Sequence, residues 1–346
     1  MKRQVIPVKV GDLQIDGKKI YIQSMLSRPA SNIDANVLQA IELEEAGCEI
    51  LRVAIPNMEA ISLINAIKDR IRIPLVADIH FDYRLALAAI DAGIDKIRIN
   101  PGNIGDDDRV RQVANACKSA NVPIRIGVNA GSLEREILKK YKAPTSHALV
   151  ESAMNHVSLL ERHDFHDIVI SIKSSNVNTM VESYRLLAKK CDYPLHLGVT
   201  EAGTERMGLI KSAIGIGSLL LDGIGETIRV SLTADPIKEI RAAKDILRSI
   251  GRYGGIEIIS CPTCGRTNID LISLANEVEN ALSGLDKDIK VAVMGCAVNG
   301  PGEAREADIG IAGGNGNVLI FKHGEILRKV KEQDALSELI KEIEQM

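Results

Sequence analysis

Cys261-Pro-Thr-Cys264 and a third cysteine inside Met294-Gly-Cys-Ala-Val-Asn-Gly-Pro-Gly-Glu303 are the residues whose type and spacing point most directly to chemistry. Thiolates are the soft ligands of iron–sulfur clusters, which usually take four per cubane. No fourth cysteine accompanies Cys296; the oxygen donor that follows it is the carboxylate of Glu303. Three thiolates and one carboxylate would leave one iron on a harder, weaker ligand, and such an iron can bind substrate. Cys-x-x-Cys alone also occurs in redox pairs and zinc ribbons. A structural zinc site normally closes its shell with Cys or His, and the histidine of this region, His323, sits in a distant hairpin.

A second group of polar residues recurs at the ends of short apolar runs. In chain order these are Arg52; Asp78 and His80; Arg98 and Asn100; Arg125 and Asn129; Lys173; Thr200 and Glu201; Arg229 and Ser231. Several pairs are spaced i, i+2, which puts both side chains on one face of a strand. If that face is the inside of a barrel, Arg52, Arg98, Arg125, Lys173 and Arg229 converge on one small volume. Such cations repel unless a polyanion, or Asp78 and Glu201, balances them. Arginine forks suit phosphate oxygens, and Pro101-Gly-Asn-Ile-Gly105 adds backbone N–H groups. The expected ligand is a compact diphosphate, with Asp78, His80 or Glu201 available to move a proton.

The elements that must position these residues follow from hydrophobic periodicity. Apolar runs at 20–25, 50–55, 74–79, 96–100, 123–129, 167–173, 194–200 and 227–232 alternate with amphipathic segments at 35–46, 84–92, 108–120, 177–190 and 237–250. Runs rich in Val, Ile and Leu suit strands buried on both faces. Ala46-Gly47, Ala92-Gly93 and Ala120-Asn121 read as helix stops. The pattern predicts an α/β chain with a (β/α)8 TIM barrel over 1–250, its active site at the C-terminal ends of the strands. No Gly-x-Gly-x-x-Gly follows the first strand, and Gly215-Ile-Gly217 falls inside a helix, where packing is the expected role. Segments 5–10 and 13–15 predict a hairpin that closes the bottom of the barrel. Residues 130–146 read as a long loop, the kind that serves as a lid or binding element.

Beyond 250 the pattern changes to a small α+β domain over 251–346. Strands at 256–260 and 290–294 lead into Cys261 and Cys296, a helix spans 269–282, and Gly313-Gly-Asn-Gly316 marks a hairpin between strands at 309–312 and 318–322. A helix at 334–345 ends the unit.

The chain has 346 residues, 45% hydrophobic, with net charge −3, so neither nucleic acid nor a membrane surface is favoured as partner. The start carries no apolar leader and six cysteines make no disulfide framework, which predicts a cytoplasmic protein. Cys48, Cys117 and Cys191 read as small buried residues, and His147, His156, His163 and His166 as structural.

With both halves read, the chain resembles the bacterial 4-hydroxy-3-methylbut-2-enyl diphosphate synthase family over essentially its whole length. The motifs that carry the resemblance are Gln23-Ser-Met25, Ile97-Arg-Ile-Asn-Pro-Gly-Asn-Ile-Gly105, Arg125-Ile-Gly-Val-Asn-Ala-Gly-Ser132, Ser260-Cys-Pro-Thr-Cys-Gly265 and Gly295-Cys-Ala-Val-Asn-Gly-Pro-Gly-Glu303. The resemblance implies reductive ring opening of 2-C-methyl-D-erythritol 2,4-cyclodiphosphate, the penultimate step of the non-mevalonate isoprenoid pathway. It implies one [4Fe–4S] cluster per chain on Cys261, Cys264, Cys296 and an exchangeable Glu303, in a ferredoxin/sulfite-reductase-like domain. Electrons would come from flavodoxin or ferredoxin, and the barrel residues named above would line the substrate pocket.

The connector at 251–255 spans at most about 18 Å, less than the roughly 25–30 Å depth of a barrel with its loops. A homodimer is therefore expected, with each cluster serving the barrel of the partner chain. Two rivals remain at this point: a phosphosugar aldolase with a Schiff base on Lys173 and structural zinc, and an iron–sulfur redox sensor.

Overall fold

The computed structural model describes residues 3–285, 287–297, 302 and 304–346. They fall into two compact units, Met1–Ile250 and Gly251–Met346.

The first unit opens with a hairpin of β1 (Val8–Val10) and β2 (Leu13–Ile15), turned at Gly11 with φ of 54°. Eight parallel strands follow: β3 (Tyr21–Met25), β4 (Ile50–Ala54), β5 (Leu75–Asp78), β6 (Lys96–Ile99), β7 (Ile124–Asn129), β8 (Ile168–Lys173), β9 (His196–Leu197) and β10 (Thr227–Ile228). The sheet order is β8-β7-β6-β5-β4-β3-β10-β9, and a parallel bridge between Ile170 and Leu195 joins its two ends. That is the eight-stranded barrel expected from the alternation of apolar runs. The last two strands are shorter than their apolar runs. At Gly198 an added Cβ would lie 2.7 Å from the Arg229 carbonyl oxygen, so the two chains approach there more closely than side chains allow.

The helices of this unit are α1 (Ile33–Glu45), α2 (Ser62–Lys68), α3 (Tyr83–Asp91), α4 (Asp107–Ala120), α5 (Arg135–Tyr141), α6 (Ser146–Glu161), α7 (Val177–Leu187), α8 (Glu205–Leu221) and α9 (Pro236–Ser249). Local chemistry sets their starts. Asn32, Asp82, Asp106, Thr145, Asn176 and Asp235 each accept a backbone N–H of the first turn through the side chain. Their stops match the sequence signals: Gly47, Gly93 and Asn121 take positive φ. Inside α8, Gly215 would place a Cβ 2.8 Å from Val199, a packing glycine as expected.

The hairpin packs its fully buried Val8, Val10 and Ile15 against Ile50, Val76 and Val169 at the N-terminal ends of the barrel strands. Burying each such side chain contributes about 1.5–3 kcal/mol, enough to make the plug a stable floor. The segment 130–146 is not the long open loop expected. It contains α5, and Glu134 just before that helix accepts the Ser152 hydroxyl at 2.7 Å and lies 3.0 Å from His156 Nε2 on α6. Burial alone would raise Glu134, but these partners hold it down at about 2, a fixed anion that pins the segment. The lysine-rich helix buries only Ile137, which is why its periodicity was too faint to read.

The second unit is a five-stranded mixed sheet in the order β11 (Glu257–Ser260), β12 (Lys290–Met294), β13 (Ile309–Gly313), β14 (Asn317–Lys322) and β15 (Glu325–Lys331). The first three strands are parallel and the last two antiparallel. Helices α10 (Leu271–Leu282) and α11 (Ala335–Glu344) cover one face through Leu274, Val278, Leu339 and Ile343. Sequence patterning did not predict β15. It is an outer strand whose residues are mostly exposed and whose Arg328, Lys329 and Lys331 suit an uncovered edge.

Candidate active site

The C-terminal ends of the barrel strands gather most of the polar residues read from the sequence. Asp78, Arg98 and Arg125 are successive register partners on β5, β6 and β7, so parallel pairing turns all three to one face. Asp78 sits at the centre. Arg52 Nη2 lies 2.8 Å from its Oδ2, Arg98 Nη1 lies 3.3 Å from its Oδ1, and His80 Nε2 lies 3.8 Å from Oδ2. Burial alone would raise the Asp78 carboxyl, but Arg52 and Arg98 more than offset it and hold it well below the usual carboxylate range. His80 is half-exposed; burial lowers its imidazole despite the opposing pull of Asp78.

Arg98 is further fixed by a bond from Nη2 to the Gly127 carbonyl at 3.3 Å. A Cβ on Gly127 would lie 2.3 Å from Arg98 Nε, so only glycine leaves room for the guanidinium. Arg125 is completely buried, and its contact to Gln23 Oε1 is long at 3.4 Å. Its Nε and Nη2, Arg52 Nε and Nη1, and Arg98 Nε are buried without a hydrogen-bond partner among the described residues. Such a cluster of guanidinium donors suits the acceptor oxygens of an anion.

Around the same mouth, Lys173, Thr200, Arg229 and Ser231 line a cleft of about 330 Å³ whose other walls are His196, Gly198 and Val199. Burial and the neighbouring Arg52, Arg125, Arg98 and Arg229 push the Lys173 amine well below the usual lysine range. Arg229 Nε lies 3.6 Å from Glu239 Oε2, and Glu239 reaches in from α9 to accept Leu232 N–H at 3.0 Å. Asn129 is the register partner of Lys173, with its Oδ1 buried and without a hydrogen-bond partner among the described residues. Asn100 is buried, and its Oδ1 accepts Gly102 N–H at 3.2 Å. That bond folds the turn after β6 and leaves the Asn100 NH2 to donate. Gly102 is required there, because a Cβ would lie 2.6 Å from the His156 ring. Glu201 is exposed with φ of 49°, outside the residues that line the cleft.

Sequence reasoning missed the layer below. Lys96, two residues before Arg98 on the same strand, is fully buried and its Nζ has no hydrogen-bond partner among the described residues. His196 is buried and bonds Thr227 Oγ1 through Nδ1 at 2.8 Å, and burial with nearby Arg125 and Lys96 keeps it neutral far below its usual range. The i, i+2 spacing from Arg98 was the signal that could have found Lys96. Glu239 carries none, since it lies on a helix distant in sequence from the strands it serves.

In the second unit, parallel pairing of Ser260 with Val293 sets the turns after β11 and β12 side by side. Cys261 Sγ accepts the Gly295 N–H at 3.2 Å, and Asn268 N–H bonds the Gly295 carbonyl at 3.1 Å. A Cβ on Gly295 would lie 2.9 Å from Thr267 Oγ1, so the turns are in contact. Cys261, Cys264 and Cys296 are all free thiols; Cys264 is exposed and Cys296 buried. The Arg266 backbone and side chain hydrogen-bond the Cys264 thiol and lower it from its ordinary value. Glu303 lies outside the described residues, and among the described residues no three His, Cys, Asp or Glu side chains gather as a metal-binding group. The donor set still fits an iron–sulfur group in kind: three free thiols on adjoining strand ends, one already accepting a backbone N–H as cluster-bound sulfurs do. By contrast, burial pushes the Cys48 thiol up to about 12 and raises Cys117 too, which disfavours the thiolate at both.

No helix among the described residues is long and apolar enough to cross a membrane. In comparisons with solved structures, the chain is similar to dihydropteroate synthases from Stenotrophomonas maltophilia (TM-score 0.53, 14% identity) and Xanthomonas albilineans with 4-aminobenzoic acid (TM-score 0.52, 14% identity). Each match covers 71% of this chain and 98% of the other. At that identity they show the barrel fold alone. Curated relatives named 4-hydroxy-3-methylbut-2-en-1-yl diphosphate synthase (flavodoxin) are far more similar. The protein of Clostridium perfringens is 61% identical over 345 residues, 99% of both chains. That of Clostridium tetani is 59% identical over 99% of both, and that of Listeria monocytogenes 58% identical over 98% of this chain and 92% of the relative. These names favour neither the aldolase nor the redox-sensor reading. The GcpE TIM-barrel domain matches residues 5–244 and the GcpE protein C-terminal domain matches residues 257–345. Those two matches account for both units, and the chain belongs to the GcpE family.

Proposed function

We propose that this chain is a 4-hydroxy-3-methylbut-2-enyl diphosphate synthase that opens 2-C-methyl-D-erythritol 2,4-cyclodiphosphate by two-electron reduction, with flavodoxin as electron donor. The observation that carries the reading is the barrel mouth. Arg52, Arg98, Arg125, Lys173 and Arg229 face it, and among the described residues Asp78 and Glu239 are the carboxylates in ion-pair range of that set. A diphosphate supplies the missing negative charge.

Each residue then has a physical task. Asp78, held as an anion, aims Arg52 and Arg98 rather than carrying a proton. Arg125, Arg229, Lys173 and the Asn100 and Asn129 amides bind the diphosphate oxygens, with Thr200 and Ser231 as neutral donors at the rim. Donors already placed where charge develops on the departing phosphate oxygen cost no reorganisation during the reaction. Conversion of the cyclic diphosphate also releases one oxygen as water, so a proton donor must reach the carbon skeleton. That role is assigned to Glu201 or His80, both of which are exposed.

Cys261, Cys264 and Cys296, completed by Glu303, are the residues that hold a [4Fe–4S] cluster in this reading. When bound, that cluster supplies electrons one at a time and a Lewis-acidic iron. The chain works as a homodimer in the cytoplasm. Met207, Ile210, Ile214 and Leu221 support the dimer: they form an exposed apolar stripe at helical spacing along α8.

The test is anaerobic purification of the full chain, with iron content, colour and EPR recorded before and after adding the cyclic diphosphate. Turnover with reduced flavodoxin is then measured by product formation. A colourless, iron-free protein, or a brown one without turnover, would overturn the reading.

A further inference from the structure

Lys173 ends β8 with its side chain in the cleft it shares with Arg229, Thr200 and Ser231. Among the described residues its Nζ makes no hydrogen bond or ion pair, unlike the rim lysines Lys139 and Lys140, which pair with Glu136 and Glu151. The charged groups facing it are Arg52, Arg98, Arg125 and Arg229, with neutral His196 beside them. Neither nearby carboxylate is available to it. Both oxygens of Asp78 are engaged by Arg52 and Arg98, and Glu239 is taken by Arg229 and the Leu232 N–H. Burial and these guanidinium groups push the Lys173 amine well below the usual lysine range, which raises its share of free amine. A free amine that opens into a cleft is a nucleophile.

We propose that Lys173 is a covalent capture site for small phosphorylated aldehydes, which the arginine cluster holds by the phosphate while Nζ attacks the carbonyl. The Nζ lone pair forms an N–C bond and the carbonyl oxygen takes up a proton, giving a carbinolamine. That oxygen then leaves as water, the nitrogen gives up its proton, and a C=N bond replaces the C=O. No electron donor or acceptor is needed, no carbon–carbon bond breaks, and hydrolysis reverses the step. The inference rests on the phosphate reading of the mouth and adds to it a second ligand class and a covalent bond. While the imine stands, the diphosphate is excluded.

The probe is pyridoxal 5′-phosphate on the full-length, anaerobically purified protein, with borohydride trapping and peptide mass spectrometry. Lys173 should label before the surface lysines and roughly tenfold faster than with unphosphorylated pyridoxal, the ratio expected for one good phosphate contact. Excess inorganic pyrophosphate should protect it, and Lys173→Arg should lose the label. Calorimetry with inorganic pyrophosphate alone tests the phosphate reading separately. Pyrophosphate binding with Lys173 unlabelled would overturn the capture site and leave the phosphate reading standing. Lys173 labelled equally by both aldehydes, without pyrophosphate binding, would overturn the phosphate reading and with it this proposal.

Discussion

Arg52 Nη2 lies 2.8 Å from Asp78 Oδ2, and both side chains are buried beneath the barrel mouth. With Arg98 on the other oxygen, one carboxylate sets the direction of two guanidinium groups. Removing it should therefore cost more than one ion pair. Asp78→Ala strands two buried cations, and such losses run to about 3–5 kcal/mol. Thermal unfolding should show that loss, and added inorganic pyrophosphate should recover more stability in the variant than in the parent.

The same carboxylate fixes a pH dependence. Its folded pKa is depressed, so its stabilisation is fully present above the unfolded carboxyl value near 3.9 and is lost only as pH falls through the lower folded value. Difference stability between the parent and Asp78→Asn should stay flat from neutral pH down to about pH 5 and shrink only below that. A steady decline between pH 7 and 5 would assign that pH range to another group.

Lys96 works in the opposite sense. Burial, with Arg125 nearby, lowers its amine far below the usual range, so between the folded and unfolded values the unfolded chain binds more protons than the folded one. Stability should rise with pH until the unfolded lysine value near 10.4 is passed. Lys96→Met removes that penalty and should raise the melting temperature by several degrees at pH 7, each kcal/mol giving about 2–4 °C in a domain of this size. The gain should shrink as pH rises towards 10.

Gly127→Ala would set a Cβ 2.3 Å from Arg98 Nε, and Arg98 is anchored at its far end by Asp78. The guanidinium must leave its place while the fold survives. Pyrophosphate affinity should fall by roughly tenfold or more, about one lost charge-assisted contact, and the melting temperature should fall too, but by less than in Asp78→Ala, where two cations lose their partner. Unaltered affinity would show that Arg98 does not contact the diphosphate.

Assembly is testable by mixing. A Cys264→Ser chain and an Arg98→Ala chain are each inactive in the proposed scheme. If cluster and barrel from different chains form one site, equal mixing yields half heterodimers with one working site each, or about a quarter of full activity. Sites built within one chain would give none.

The barrel was legible because strands buried on both faces must be apolar runs, as at 168–173, and because Gly47, Gly93 and Asn121 punctuate the helices. The cationic mouth was legible for the same reason: Arg98 stands between Ile97 and Ile99, and Arg125 between Ile124 and Ile126. What escaped lacked such contrast. Strand β15 buries little and so shows no alternation, α5 turns one apolar residue inward, and Glu239 meets Arg229 only after a helix has folded back. Lys96 was read as part of a strand when it is an amine sealed beneath the site.

The hairpin that packs Val8, Val10 and Ile15 under the strands has a consequence for traffic. With that floor in place the barrel is a blind vessel, and arriving and departing molecules share one doorway. Substrate and product differ little in their diphosphate, so each occupies the other's passage. Flux through the enzyme then depends on how quickly the spent molecule is drawn away by whatever consumes it.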